Sequence, residues 1–177
     1  MNTSVILSIV LSILLIAMQF RKCPPKHILV VYSKIKKKPI IKKILEKPTF
    51  IIPILQDSIT LVNEQISTRI DLYNIQTFEK NEMNFSFIYT IKISKKPKIM
   101  QNAIVEFAGK KIDYIMDRIR NTIQNRLIDE IKNLTIREIG NTEKFIETTK
   151  NGVEEELKNL GYELTDFILV DARDGDN

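Results

Sequence analysis

Two periods of apolar residues divide this chain, and one gives way to the other near residue 95. Before that point apolar residues alternate or run together over strand lengths, and after it they recur at three and four, the signature of an amphipathic helix. Residues 27–33 (HILVVYS) form a continuous apolar run, and 50–62 (FIIPILQDSITLV) form another whose early part Pro53 confines to an edge or a bend. Residues 65–73 alternate through Ile66, Thr68, Ile70 and Leu72. Residues 83–94 do so more strictly, with Phe85, Phe87, Tyr89, Ile91 and Ile93 on one face and Asn84, Ser86, Thr90 and Lys92 on the other, broken only by Ile88. This pattern predicts a small, mostly antiparallel sheet with one wet face.

Beyond it, 98–107 predicts a short helix and 110–134 a long one, whose stripe is Ile112, Ile115, Met116, Ile119, Ile123, Leu127 and Ile131. Thr135 and Glu138 make a T-x-x-E capping box for a single turn that Gly140 ends. Asn141 or Thr142 then caps a second long helix with Phe145, Ile146, Val153, Leu157 and Leu160 as its apolar positions. Gly161 is placed as its left-handed stop. Residues 162–171 (YELTDFILVD) predict a strand returning to a sheet. Asp171, Asp174 and Asp176 in the final DARDGDN lack the ligand spacing of a calcium loop, so 172–177 reads as a solvated acidic tail.

The other feature that decides the class of protein is residues 4–20 (SVILSIVLSILLIAMQF), 17 residues without a charge. At 1.5 Å per residue they span roughly 25 Å, enough to cross a thin hydrocarbon core when flanking residues snorkel. A cleavable signal peptide needs a basic start and a small-residue cleavage site, and neither is present. The expectation is a permanent transmembrane helix. The first charges after it are positive, which places residues 1–3 outside the cell membrane and residue 21 onward in the cytoplasm.

Charge sharpens this picture. The whole chain has a formal net charge of +5, yet 21–47 carries ten Lys or Arg against the single acid Glu46. Arg21, Lys22, Lys26, Lys34, Lys36, Lys37, Lys38, Lys42 and Lys43 form a candidate lipid-facing basic patch, drawn to anionic headgroups by about 1 kcal/mol per residue near the surface. Nucleic acid is the weaker partner, because only Tyr32 interleaves with these cations and no Gly-rich or zinc motif accompanies them. Phe85, Phe87 and Tyr89 read as core, since no interleaved cations make them a base-stacking platform. Asp113 and Asp117 sit four apart beside Arg118 and Arg120, which favours a solvated charged face over a metal site. Cys23 and His27, each the sole residue of its type, are separated by Pro24-Pro25 and make neither a zinc site nor a nucleophile pair. Cys23 at the membrane boundary is a site for S-acylation or an inert thiol. With no nucleophile–base pair, phosphate loop or ligand cluster, neither an enzyme nor a cofactor is expected.

The order of the pieces is recognisable. R-K-C-P-P-K-H-I-L-V-V-Y at 21–32, then F-I-I-P at 50–53 leading into I-T-L at 59–61, resembles the opening of flotillin-type members of the SPFH (stomatin, prohibitin, flotillin, HflK/C), or band 7, superfamily. L-T-I-R-E-I at 134–139, Phe145, Val153, and E-L-K-N-L-G-Y-E-L-T-D-F-I-L-V-D at 156–171 are similar to the end of the same domain. The resemblance covers about 21–174 and implies an α+β architecture. A basic juxtamembrane segment with the first strand (21–47) precedes an antiparallel β-rich lobe (48–95) and an α/β lobe with two long helices and a closing strand (96–171). Ser33 and Lys47-Pro48-Thr49 stand where the family usually has glycines, so those loops should differ in geometry. The Ala/Glu-rich coiled coil that follows this domain in flotillins has no counterpart in the 177 residues, so smaller assemblies are expected. The resemblance further implies a non-enzymatic membrane scaffold that forms homo-oligomers and organises membrane patches. The alternative is a regulatory subunit docked on a membrane protease, a transporter or another membrane protein.

Overall fold

The computed structural model describes residues 6, 8, 19–33, 40–52, 55–108 and 110–175. Of the expected membrane span at 4–20, only Ile6, Ser8, Gln19 and Phe20 fall among them, and the rest lies outside the described residues. Among the described residues no helix is long and apolar enough to cross a membrane. The end of that run is not helical, because Phe20 opens strand β1 (Phe20–Arg21) and the Gln19 carbonyl accepts from the Ile51 N–H at 3.1 Å.

The chain divides into two units, 1–63 and 64–177. In the first, β2 (His27–Ser33) lies between β3 (Ile40–Leu45) and β5 (Gln56–Val62), both antiparallel to it, while β1 pairs with β4 (Thr49–Phe50). Ile28, Leu29, Val30 and Val31 are all buried in succession, which means β2 is covered on both faces and explains its unbroken apolar run. Strand β5 instead alternates, with Ile59 and Leu61 buried and Thr60 exposed. The apolar run at 50–62 is therefore not one strand. It breaks after β4, and the Leu55 and Gln56 N–H groups both donate to the Ile52 carbonyl, at 3.0 and 2.8 Å, while Pro53 lies outside the described residues.

The second unit is a β6-β7-β8 antiparallel sheet with helices on one face, formed by β6 (Ile66–Gln76), β7 (Glu82–Ile93), α1 (Pro97–Phe107), α2 (Ile112–Lys132), α3 (Ile136–Gly140), α4 (Thr142–Asn159) and β8 (Tyr162–Asp174). The change of period near 95 thus marks the passage from strand to helix inside one unit, and the division between units comes earlier, at 63/64. Strand β7 lies in the centre and buries Met83, Phe85, Phe87, Tyr89, Ile91 and Ile93 beneath the helices. Helix α2 packs on β6 and α4, and α4 packs on β8. The opposite face is wet: Arg69 donates to Asp71 at 2.8 Å and to Ser86 at 2.9 Å, and the Ser86 hydroxyl donates to Asp71. That hydroxyl first, and the guanidinium second, hold the Asp71 carboxyl below its usual range.

Two expectations at element ends are corrected. The buried stripe of α2 begins at Ile115. Ile112, the first residue of α2, has the right angular position but is exposed, and Met116 is half-buried. The acidic tail is not wholly free, because 172–174 pair with Met83, Asn84 and Phe85, and the Gly175 N–H donates to the Glu82 carbonyl at 2.8 Å. Bulges between Ser86 and Phe87 and between Thr90 and Ile91 take up two extra residues of β8, so the strand must run on past Asp171 to match the length of β7. Gly140 is the last residue of α3, as expected, and among the described residues Gly161 is the glycine with positive φ, at 88°.

The caps are as the sequence predicts. The Asn141 side chain accepts from the Lys144 N–H at 3.3 Å. The Thr135 hydroxyl accepts from the Glu138 N–H at 3.3 Å, while the Glu138 carboxylate accepts from the Thr135 N–H at 3.0 Å and from its hydroxyl at 2.9 Å. Thr135→Ala should cost about 1 kcal/mol in urea unfolding at neutral pH. The Thr135 backbone and hydroxyl hold the Glu138 pKa below its ordinary value, so this stabilisation is full above the unfolded-state pKa of Glu and disappears as pH falls through the folded one. The penalty of Thr135→Ala should therefore shrink in acid, and a penalty that is the same at pH 7 and pH 3 would contradict the reciprocal cap.

Candidate membrane-facing surface

The first unit carries the charge asymmetry: residues 1–63 hold ten Lys or Arg against Glu46 and Asp57, whereas 64–177 hold 17 against 20 acids. Arg21, in β1, and Lys22 and Lys26, in the turn that follows, are exposed. Two prolines and a left-handed Lys26 (φ 64°) shape that turn. The Lys26 carbonyl accepts from Asn63 at 2.9 Å, and the Pro25 carbonyl lies 2.8 Å from His27 Nδ1. Lys42 and Lys43 are exposed on β3, where a bulge opposite Val31 and Tyr32 puts both into the edge strand's irregular stretch. Lys34, Lys36, Lys37 and Lys38 lie outside the described residues.

The Cys23 thiol is half-buried and donates to the His27 carbonyl at 3.3 Å, with the Leu45 carbonyl at 3.8 Å. It fastens the turn to the end of β3. On β5, Asp57 faces Tyr32, and burial followed by that carboxylate pushes the Tyr32 phenol above its ordinary pKa. Asp113 and Asp117 are both exposed on α2, and Arg118 pairs with Glu106 at 3.3 Å. Among the described residues no three His, Cys, Asp or Glu side chains are grouped to hold a metal ion.

One surface escaped the sequence reading. Phe20 and Phe50 are directly opposed across the β1–β4 ladder, so their side chains share a face. Ile51, just past β4, is 4 % exposed, whereas Ile52 is exposed like Phe50. The turn at the Ile52 carbonyl brings Leu55 beside it. These four side chains are 51 %, 47 %, 47 % and 44 % exposed, and Arg21 and Lys22 follow Phe20 in the chain. The signal available in the sequence was the alternation Phe50, Ile51, Ile52 before Pro53, which shows two faces without showing which one meets solvent.

No curated protein matches this chain. The family model described as SPFH domain / Band 7 family matches residues 21–177, beginning one residue after the uncharged run and including both units from there on. The chain belongs to the SPFH domain / Band 7 family.

Proposed function

We propose that this protein is a membrane-held SPFH scaffold of the flotillin-like branch, tethered through residues 4–20 with its N-terminus outside and residues 21–177 in the cytoplasm. It gathers copies of itself and neighbouring membrane proteins into patches and catalyses no reaction. The observation that carries this reading is the position of the family domain, which starts directly after a 17-residue uncharged run. The concentration of positive charge in 21–47 supports it, since cations beside a span favour the cytoplasmic side and attract anionic headgroups.

Purification of the full chain from gently solubilised membranes tests the proposal. A scaffold is expected to come out as a homo-oligomer with lipid and a substoichiometric mixture of membrane proteins. Recovery of one protease or transporter in fixed stoichiometry would replace the scaffold with a regulatory subunit.

A further inference from the structure

From the free edges of the two three-stranded sheets we infer how copies of this chain meet: β3 of one copy adds to the outer edge of β8 of the next, in a head-to-tail contact that repeats along a row of copies. The inference deepens the self-assembling reading and rests on it.

β3 and β5 flank β2, β6 and β8 flank β7, and among the described residues none of these four outer strands has a further strand on its other side. Such an edge offers a row of backbone N–H and C=O groups to another chain, and the charges on it decide which chain is accepted. β3 (IIKKIL) carries Lys42 and Lys43, both exposed, and no acid, and the Glu46 and Lys47 that follow it cancel. β8 (YELTDFILVDARD) carries Glu163, Asp166, Asp171 and Asp174 against Arg173 alone. The other two edges are closer to neutral, with Asp57 on β5 and with Arg69 and Asp71 on β6. β3 is thus the cationic edge of the four and β8 the most anionic. Like charges directly opposite each other destabilise a strand pair, so β3 against β3 and β8 against β8 are both disfavoured, while β3 against β8 brings opposite charges together. Part of the acid on β8 is already engaged, since Glu163 faces Lys96 at 3.8 Å and Asp171 pairs with Arg173, but Asp166 and Asp174 are exposed. Between these two, Ile168 and Val170 are each 46 % exposed, and β3 brings the exposed Ile40, so the contact buries apolar side chains along with the backbone groups. A contact between two different surfaces of identical chains does not close as a two-fold dimer does, and it extends the row until the rotation between copies completes a ring.

The test uses the full chain in mild neutral detergent, with Cys23→Ser to remove its native thiol. Two differently tagged chains, one with Lys43→Cys and the other with Asp166→Cys, are mixed and treated with a flexible bismaleimide, so that a link between the tags joins separate copies. That link is expected to form several-fold faster than 43 to 43, 166 to 166, or 43 to Thr60→Cys on the exposed side of β5. Lys42→Glu with Lys43→Glu should lower the oligomeric fraction seen by mass photometry about five-fold, and adding Asp166→Lys with Asp174→Lys to the same chain should restore most of it. Dominant links from 43 to 43 or from 166 to 166 would overturn the inference in favour of a two-fold contact, and a dominant link to 60 would overturn it in favour of the β5 edge. Oligomers that survive the lysine reversal and give none of these links would overturn it and leave self-assembly standing. A chain that is monomeric both in detergent and in native membranes would instead remove the self-assembling reading and this inference with it. The links need only substitutions at exposed positions, so they decide between these outcomes even where far-UV circular dichroism shows that a charge-reversed chain is not folded.

Discussion

Gly161→Ala is expected to destabilise the second unit by about 3 kcal/mol. The residue ends α4 with φ of 88°, in the left-handed region where an L side chain costs roughly 1–2 kcal/mol. Its position is fixed from both sides, since its N–H donates to the Lys158 carbonyl and its carbonyl accepts from the Ser94 N–H, each at 3.1 Å. A Cβ here would lie 2.5 Å from the Cβ of Ala103, 2.6 Å from its backbone nitrogen and 2.9 Å from its Cα. These are atoms of α1 itself, not the end of a flexible side chain, so the helix must move or the turn must open, at a further cost of about 1–3 kcal/mol. Domain stabilities are only about 5–15 kcal/mol, so the loss should show plainly in urea unfolding of the full chain in mild detergent. Gly161→Asn separates the two causes: asparagine tolerates the left-handed backbone but still brings a Cβ, and it should recover only a minor part of the loss. An alanine variant within about 0.5 kcal/mol of the parent would contradict the assignment.

Phe87→Ala should cost more, about 3–5 kcal/mol. Phe87 is fully buried at the centre of β7, between Ile70 on β6 and Leu169 on β8. Its ring centroid lies 6.1 Å from Phe85, 6.2 Å from Phe145 and 5.3 Å from Phe167, so one ring joins β7 and β8 to α4. Truncation leaves a cavity among side chains that face it from strand and helix, and such sites collapse poorly. Ile88→Ala is the control. Ile88 lies half-buried on the wet face of the same strand, and its truncation should cost well under half as much. Comparable losses at 87 and 88, read from the same urea transitions, would mean that the alternation does not set which face is core.

That alternation was legible because a strand bound on one side by water and on the other by helices needs it at every second residue, and Phe85 to Ile93 keep it without a break on the buried face. The capping box at Thr135 and the stop at Gly161 were legible for a similar reason: backbone geometry within four or five residues dictates them. Features fixed by distant partners were not. The reach of β8 to Asp174 depends on two bulges against β7, and Ile112, though it continues the α2 stripe, is exposed at the first residue of the helix. Phe50, Ile51 and Ile52 form an apolar run that reads as core in any window, and only the pairing of β4 with β1 turns two of them outward. The family could be recognised from the collinear order of weak motifs, while the unit boundary at 63/64 left no mark, since strands of similar period lie on both sides of it. Of the residues named as a candidate basic patch, Arg21, Lys22, Lys26, Lys42 and Lys43 are exposed, and the others lie outside the described residues.

The membrane tether is the claim on which the scaffold reading depends, and extraction of native membranes with alkaline carbonate, followed by protease treatment of sealed vesicles, measures it directly. The account predicts that the full chain stays in the pellet with its original N-terminus, and that residues 21–177 are digested only when the cytoplasmic side is exposed. A chain released by carbonate, one that begins after residue 20, or one whose folded part is digested from the outer side would contradict it.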